Sequence, residues 1–147
     1  MADCISSILL RKGTDIWSVT PDTTVYDAIA LMADKGVGAL LVVSAGRLVG
    51  VLSERDYARK IILQGRSSRD TSVEEVMSPS PITVTPSQTV DDCMRLMTEH
   101  RVRHLPVIDR EKLVGVVSIG DLVNAIISAQ AETIEHLHTY IGSNYPV

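Results

Sequence analysis

The chain contains one segment twice. Residues 84–121 repeat residues 19–56 without a gap at an offset of 65 positions, and 17 of the 38 aligned residues are identical. An internal repeat of this length indicates a duplicated structural unit. Because each copy is too small to bury a good hydrophobic core alone, the two copies are expected to pack on each other about a pseudo-twofold axis.

Each copy has the pattern of a short strand, a helix, two strands and a second helix. Thr24 and Thr89 each begin a Thr-x-x-Asp capping box, and apolar residues then follow at helical spacing. The apolar runs 39–43 and 105–108 are short enough for buried strands. The sequence therefore predicts an α/β (α+β) fold of two β-α-β-β-α repeats.

The repeats also suggest how the chain is divided. We expect residues 1–70 to form the first repeat together with an N-terminal helix over 6–12. Residues 71–130 are predicted to form the second repeat, and residues 131–147 a helical extension at the C-terminus. The polar stretch 65–70, which is rich in Ser and Arg, is the predicted linker.

Composition excludes several function classes. With 14 basic and 18 acidic residues the formal net charge is −4, which argues against a general nucleic-acid binder, because such a protein needs a basic face. No apolar run reaches the about 18 residues that a membrane span requires. Cys4 and Cys93 stand apart without a CxxC motif, which is typical of a reduced cytoplasmic protein. No metal site is predicted.

The pattern that carries chemistry follows the last strand of each copy. Residues 50–56 and 115–121 both read glycine, two apolar residues, then Ser-x-x-Asp. A strand running into a helix exposes the N–H groups of the helix N-terminus, which attract phosphate. The Asp carboxylate can accept both hydroxyls of a ribose. The same Ser-x-x-Asp pattern is also a capping box that satisfies the helix's own donors.

With these motifs and the internal doubling, the chain resembles a tandem pair of CBS domains, known as a Bateman module. Its layout, with Ser-Glu-Arg-Asp-Tyr at 53–57 and Arg-His-Leu-Pro-Val-Ile-Asp at 103–109, is similar to small stand-alone bacterial and plant-organelle CBS-pair proteins.

The resemblance implies a regulatory module that binds AMP, ADP or ATP between its repeats and signals to a regulated partner protein. NAD and S-adenosylmethionine are further candidate ligands. The alternative function is an interaction or dimerisation module whose clefts bind nothing. No nucleophile–base pair or paired acid–base carboxylates argue for an enzyme.

The resemblance also implies two clefts, here called the first cleft, with Asp56, and the second cleft, with Asp121. Each Asp is expected to bind the ribose hydroxyls. The residues implied at the phosphate and hydroxyl groups are Ser53, Arg55, Arg103, His104, Ser118 and Gly120. Those implied at the base are Thr14, Ile16, Trp17, Val37, Gly38 and Ala39 in the second cleft, and Ser80, Pro81, Ile82 and Val102 in the first. Each apolar position is equally compatible with an ordinary strand residue in a core.

The two clefts are expected to differ in charge. Arg55 and Arg103 belong to the first cleft, whereas the second has Ile119-Gly120 in the matching loop. The first cleft should therefore prefer ligands with more phosphate charge. The basic run 100–104 is either part of this phosphate attraction or an ordinary solvated surface.

The last helix suggests an oligomer. Leu122, Ile126 and Ala129 share a helical stripe, which Ile134, Leu137 and Ile141 continue. An apolar stripe left without a partner indicates an interface, so we predict a homodimer. The alternative is a monomer in which residues 130–141 fold back on their own chain.

Overall fold

A computed structural model describes residues 4–13 and 15–144, and in the last helix it describes the side chains as far as Ala131 and that of Ile134. In chain order the elements are α1 (Ile5–Lys12), β1 (Ser18–Val19), α2 (Val25–Lys35), β2 (Ala39–Ser44), β3 (Arg47–Ser53), α3 (Glu54–Tyr57) with a π-helical continuation (Ala58–Ile62), α4 (Val73–Val76), β4 (Ser78–Pro79), α5 (Val90–His100), β5 (His104–Asp109), β6 (Lys112–Ser118) and α6 (Ile119–Asn144). The predicted mixed fold of two β-α-β-β-α repeats is confirmed.

The first repeat is built on a four-stranded sheet in the order β1-β2-β3-β4. β1 runs parallel to β2, while β2 with β3 and β3 with β4 are antiparallel. The β2–β3 hairpin turns at Ala45 and Gly46, both with positive φ. A two-residue turn with two positive φ values follows the twist of the strands, so the hairpin stays tight.

The second repeat has the same plan with a smaller sheet. β5 and β6 form an antiparallel hairpin in the same register as β2 and β3, at the 65-residue offset. The counterpart of β1 is a single parallel bridge between Val84 and Val107. The hairpin turns at Arg110 and Glu111 with φ of 51° and 67°, so the turn geometry is kept although neither residue is glycine.

Each repeat has its own hydrophobic core, and the two cores exchange helices. Ile5, Ile8 and Leu9 of α1 are buried with Val107 and Leu122 in the core of the second repeat. In the same way, Val73 and Val76 of α4 are buried with Leu40 and Leu52 in the core of the first repeat. The N-terminal helix predicted over 6–12 is confirmed, but it packs on the repeat that is distant from it in sequence.

Matching backbone contacts relate the two exchanged helices. The amide of Ile5 donates to the Gln88 carbonyl at 2.9 Å, and the amide of Val73 donates to the Thr23 carbonyl at 2.8 Å. Gln88 and Thr23 are equivalent positions of the two repeats. The repeats are therefore related by an approximate twofold operation, with α1 and α4 as equivalent elements.

Two glycines make this packing possible. A Cβ on Gly50 would lie 2.5 Å from the Met77 sulfur and 3.0 Å from the Ser78 carbonyl oxygen. A Cβ on Gly115 would lie 2.8 Å from a methyl carbon of Leu9. Cβ atoms do not approach other heavy atoms this closely. Glycine in β3 therefore leaves room for Met77 and Ser78, which follow α4, and glycine in β6 leaves room for Leu9 of α1.

The last helix corrects one prediction. Leu122 is fully buried in the core of its own repeat and Ile126 packs against that core, so the first part of the stripe assigned to a dimer interface is used inside the chain. Ile134 of the predicted stripe is exposed, and the other large apolar side chains exposed in the described part of α6 are Val123 and Ile127. Leu137 and Ile141 lie outside the side chains that the structure describes. Within the described chain, no helix is both long and apolar enough to cross a membrane.

Candidate functional site

Both Ser-x-x-Asp segments are capping boxes. The Ser53 amide donates to Asp56 Oδ2 at 3.0 Å and the Asp56 amide donates to Ser53 Oγ at 3.2 Å. The same pair of bonds joins Ser118 and Asp121 at 2.8 and 3.1 Å. The capping interpretation is therefore confirmed for both. In each case the cap binds Oδ2 of the aspartate and so fixes the position of Oδ1. Capping does not use Oδ1, so a capping role and a ligand-binding role are compatible.

Each of these helix starts is fastened to the loop before the preceding hairpin. The Glu54 amide donates to the Gly38 carbonyl at 3.0 Å, and the Ile119 amide donates to the Arg103 carbonyl at 2.8 Å. In each repeat, the C-terminal end of the first long helix (α2 or α5), the hairpin and the Ser-x-x-Asp turn thus meet at one edge of the sheet. These two edges face a common cavity.

The cavity has a volume of about 670 Å³ and is lined from both repeats. Its first-repeat lining is Gly38, Val51, Ser53, Glu54, Arg55, Asp56, Arg59 and Lys60. Ser78, Pro81 and Ile82 line it from the segment that leads into α5. Its second-repeat lining is His100, Arg101, Val102, Arg103, His104, Ser118, Ile119 and Gly120. This volume suits a small organic ligand.

The lining is cationic although the chain is acidic. Arginine and lysine contribute five lining residues against the two carboxylates of Glu54 and Asp56, whereas the whole chain has a net charge of −4. The guanidinium of Arg55 donates from Nη1 to the Arg101 carbonyl at 3.0 Å, which anchors it across the two repeats. Positive charge concentrated in a cleft raises the local concentration of anions.

Asp56 is held firmly at the wall of this cavity. Its residue exposure is 8%. Oδ1 lies 3.2 Å from Lys60 Nζ and accepts from Ser78 Oγ at 3.3 Å. Lys60 also donates to the Val76 carbonyl at 2.9 Å. The carboxylate is therefore oriented by, and surrounded with, hydrogen-bond donors, as a hydroxyl-binding acceptor must be.

Asp121 is held differently, although its cap is the same. Lys12 Nζ, from the exchanged helix α1, donates to Asp121 Oδ2 at 2.6 Å and to the Val116 carbonyl at 2.9 Å. Burial alone would raise the pKa of Asp121, but the bonds from Lys12 and from the Ser118 amide outweigh it and lower this pKa below its ordinary value. Asp121 is not among the residues that line the cavity.

His104 lines the cavity and is influenced by charged groups of both clefts. Burial lowers its pKa most, and the positive charge of Lys12 lowers it further; Asp121 opposes this, and Arg103 and Arg55 add smaller lowering effects. The imidazole is therefore neutral near pH 7 and supplies a hydrogen-bonding group to the cavity without a charge.

The structure brings most of the predicted first-cleft residues together. The sequence-predicted residues that line the cavity are Ser53, Arg55, Asp56, Pro81, Ile82, Val102, Arg103, His104, Ser118, Gly120 and Gly38. Those that do not line it are Ile16, Trp17, Val37, Ala39, Ser80 and Asp121. Thr14 lies outside the described residues. Trp17 is partly exposed, and Lys35 Nζ lies 4.4 Å from the centre of its ring.

Several residues of the site were not predicted to bind a ligand. Glu54, Arg59, Lys60 and Ser78 line the cavity, and Lys12 pairs with Asp121. Lys60 had a signal in the sequence, because it lies four positions after Asp56 on the same helix. Lys12 had none, since its contact depends on the packing of α1 against the second repeat. In the described part of the chain, no group of three His, Cys, Asp or Glu side chains is arranged to hold a metal ion.

Comparisons with known proteins identify the family of the chain. The CBS domain family matches the chain twice, over residues 6–63 and 73–128. The mitochondrial CBS domain-containing protein CBSX3 of Arabidopsis thaliana is 44% identical over 151 residues, which span 96% of this chain and 73% of that protein.

Two solved structures share the fold. A putative signal-transduction protein with CBS domains from Burkholderia ambifaria is 53% identical, with a TM-score of 0.84 over 87% of this chain and 96% of that chain. The CBS domain protein PAE2072 from Pyrobaculum aerophilum, solved in complex with AMP, is 28% identical, with a TM-score of 0.72 over 81% and 89% of the two chains. With its duplicated sequence and paired cores, this chain belongs to the CBS domain family and consists of two CBS repeats.

Proposed function

We propose that the protein is a regulatory module that binds an adenosine nucleotide in the first cleft and signals its occupancy to a partner protein. The observation that carries the proposal is the arrangement around Asp56. A buried carboxylate, a helix N-terminus and five arginine and lysine side chains meet at one cavity between the repeats. The AMP complex of a CBS relative supports an adenosine ligand.

The cavity offers a separate environment for each part of such a ligand. Pro81, Ile82 and Val102 supply apolar surface for the base, and Asp56 supplies an acceptor for the ribose hydroxyls. Arg55 and Arg103 stand near the helix start, where phosphate is favoured. The number of cations favours ADP or ATP over AMP, and NAD is a further candidate because it has the same adenosine end.

Titration calorimetry of the purified protein with AMP, ADP, ATP, NAD and S-adenosylmethionine tests the proposal. Asp56→Asn should weaken nucleotide binding about tenfold or more, since a hydrogen bond to a charged group contributes about 1.5–3 kcal/mol. Asp92→Asn is the matched control. Asp92 caps α5 through Thr89 with bonds of 3.0 and 3.1 Å, as Asp56 caps α3, but it does not line the cavity.

The control separates the capping role of Asp56 from its proposed ligand role. A loss of affinity in Asp56→Asn with unchanged binding in Asp92→Asn supports the proposal. Equal effects of the two substitutions would mean that binding responds only to helix capping. Absence of binding by every compound would favour the alternative function, a protein-interaction module whose clefts bind nothing.

We further propose that the working unit is a homodimer. Exposed apolar residues lie at equivalent positions of the two repeats, Ile62 in the first and Ile127 in the second, with Leu63 and Val123 beside them. A second copy would cover both sets at once, which is the usual reason for a twofold contact. Light scattering should give twice the 16.0 kDa chain mass, and Ile127→Asp should lower it. A mass near one chain for the unsubstituted protein would contradict the dimer.

The cysteines are compatible with the cytoplasm, which we propose as the compartment. Cys4 and Cys93 form no disulfide in the described structure. Burial, with a smaller effect of the Asp92 charge, raises the pKa of the Cys93 thiol to about 11, so this thiol is a core group and not a reactive one. Reduced thiols suit the cytoplasm and other reducing compartments.

A further inference from the structure

The second cleft contains a cation that comes from outside its own repeat. Lys12 ends helix α1, 109 positions before Asp121, and its Nζ lies 2.6 Å from Asp121 Oδ2. The pair is partly shielded from water, because the Lys12 and Asp121 side chains are 32% and 20% exposed. The exchange of α1 between the two cores is what brings these groups together.

Lys12 occupies Asp121, the carboxylate that is expected to bind the ribose of a ligand in the second cleft. Ser118, Ile119 and Gly120 line the cavity, but the next residue, Asp121, is turned to Lys12 and does not. Ribose hydroxyls that reach Asp121 therefore have to compete with the ammonium group. Displacing this ammonium leaves a partly buried cation that needs a new counter-ion.

The surroundings leave Lys12 a short path to a phosphate. The Asp121 oxygen that Lys12 binds also accepts from the amide of Ser118 at 2.8 Å, and Ser118 lines the cavity, so the ammonium lies directly behind the cavity wall. The matching loop of the first cleft contains Arg55, whereas Ile119 and Gly120 provide no cation. For a negatively charged ligand in the second cleft, Lys12 would therefore take the part that Arg55 has in the first cleft.

We propose that Lys12 determines the charge selectivity of the second cleft by moving from Asp121 to the phosphate of an incoming nucleotide. The proposal rests on the proposed adenosine-nucleotide function and extends it from the first cleft to the second. AMP would replace the lost ion pair with a new one, whereas the uncharged nucleoside adenosine would not. Lys12 therefore makes the second cleft prefer the nucleotide over the nucleoside.

The test compares AMP with adenosine by titration calorimetry in a chain with Asp56→Asn, which weakens the first cleft. In this background, Lys12→Gln should lower the ratio of AMP affinity to adenosine affinity about fivefold or more, since an ion pair of this exposure contributes about 1 kcal/mol. Lys12→Arg keeps the charge and should preserve most of the ratio. Lys112→Gln removes an equal charge from the exposed start of β6 and should leave the ratio unchanged.

Each other outcome overturns the inference in a recognisable way. An unchanged ratio in Lys12→Gln means that the ammonium plays no part in selectivity. If Lys12→Gln raises the affinities for AMP and for adenosine by the same factor, Lys12 only competes with the ligand for Asp121. If the Asp56→Asn chain binds no AMP while the unsubstituted chain does, the second cleft is not a site and the first-cleft function stands. If the unsubstituted chain binds no adenosine compound, the proposed function itself fails.

Discussion

Truncation of Ile5 tests the exchange of helices between the two cores. Ile5 is fully buried in the core of the second repeat, although it precedes the first repeat in sequence. Removing a buried isoleucine side chain to alanine costs about 2–5 kcal/mol, because transfer energy is lost and a cavity remains. Urea unfolding of Ile5→Ala should show a loss in this range. Leu10→Ala, on the same helix but 87% exposed, should change the free energy of unfolding by about 0.5 kcal/mol or less.

Hydrogen exchange shows which repeat loses the stability. In Ile5→Ala, the amides of Val107 and Val117 in the second repeat should lose at least as much protection as those of Leu40 and Leu52 in the first. A loss confined to the first repeat would mean that α1 packs on its sequence neighbour. A cost near that of Leu10→Ala would mean that α1 is not a core element. Either result would refute the reasoning.

Three further predictions follow from the structure. Gly50→Ala should cost about 1–3 kcal/mol in urea unfolding, because its Cβ would meet the Ser78 carbonyl at 3.0 Å; an unchanged midpoint would contradict this packing. Because the folded-state pKa of His104 lies below the ordinary 6.5, the unfolded chain binds more protons, so stability should fall as pH drops below about 6.5. His104→Gln should remove that part of the pH dependence. If urea unfolding gives the same slope of stability against pH for the substituted and unsubstituted chains, the prediction is wrong. Nucleotide affinity of the first cleft should fall more steeply with salt than that of the second, and equal slopes in calorimetry would contradict the charge difference.

The parts of the site that the sequence predicted were those built from local pattern and internal repetition. The Ser-x-x-Asp turns were visible as residues, and the 65-residue offset matched Arg103 and His104 to Gly38 and Ala39. Since each turn is a local structure that repeats, sequence alone located the edge of the sheet that faces the cavity.

The remaining features depend on how distant segments pack. Lys12 and Asp121 are 109 positions apart, and nothing in either segment indicates that α1 lies on the second repeat. The first part of the predicted dimer stripe was misassigned for a related reason. A helix with apolar residues on more than one face does not reveal which face enters its own core, and Leu122 rather than Ile127 proved to be buried.

The exchange of α1 and α4 defines what a single repeat lacks. Helix α1 precedes the first repeat but completes the core of the second, and α4 precedes the second repeat but completes the core of the first. Neither half of the chain therefore contains all of its own hydrophobic interior. A half-length ancestor with one repeat would have placed its leading helix on a second, identical molecule, and both would have folded together as a swapped pair. Joining two such genes would turn that intermolecular exchange into the intramolecular one seen here. Residues 65–70 would supply the covalent connection, and they also contact α2, since the Tyr26 amide donates to the Ser68 carbonyl at 3.0 Å.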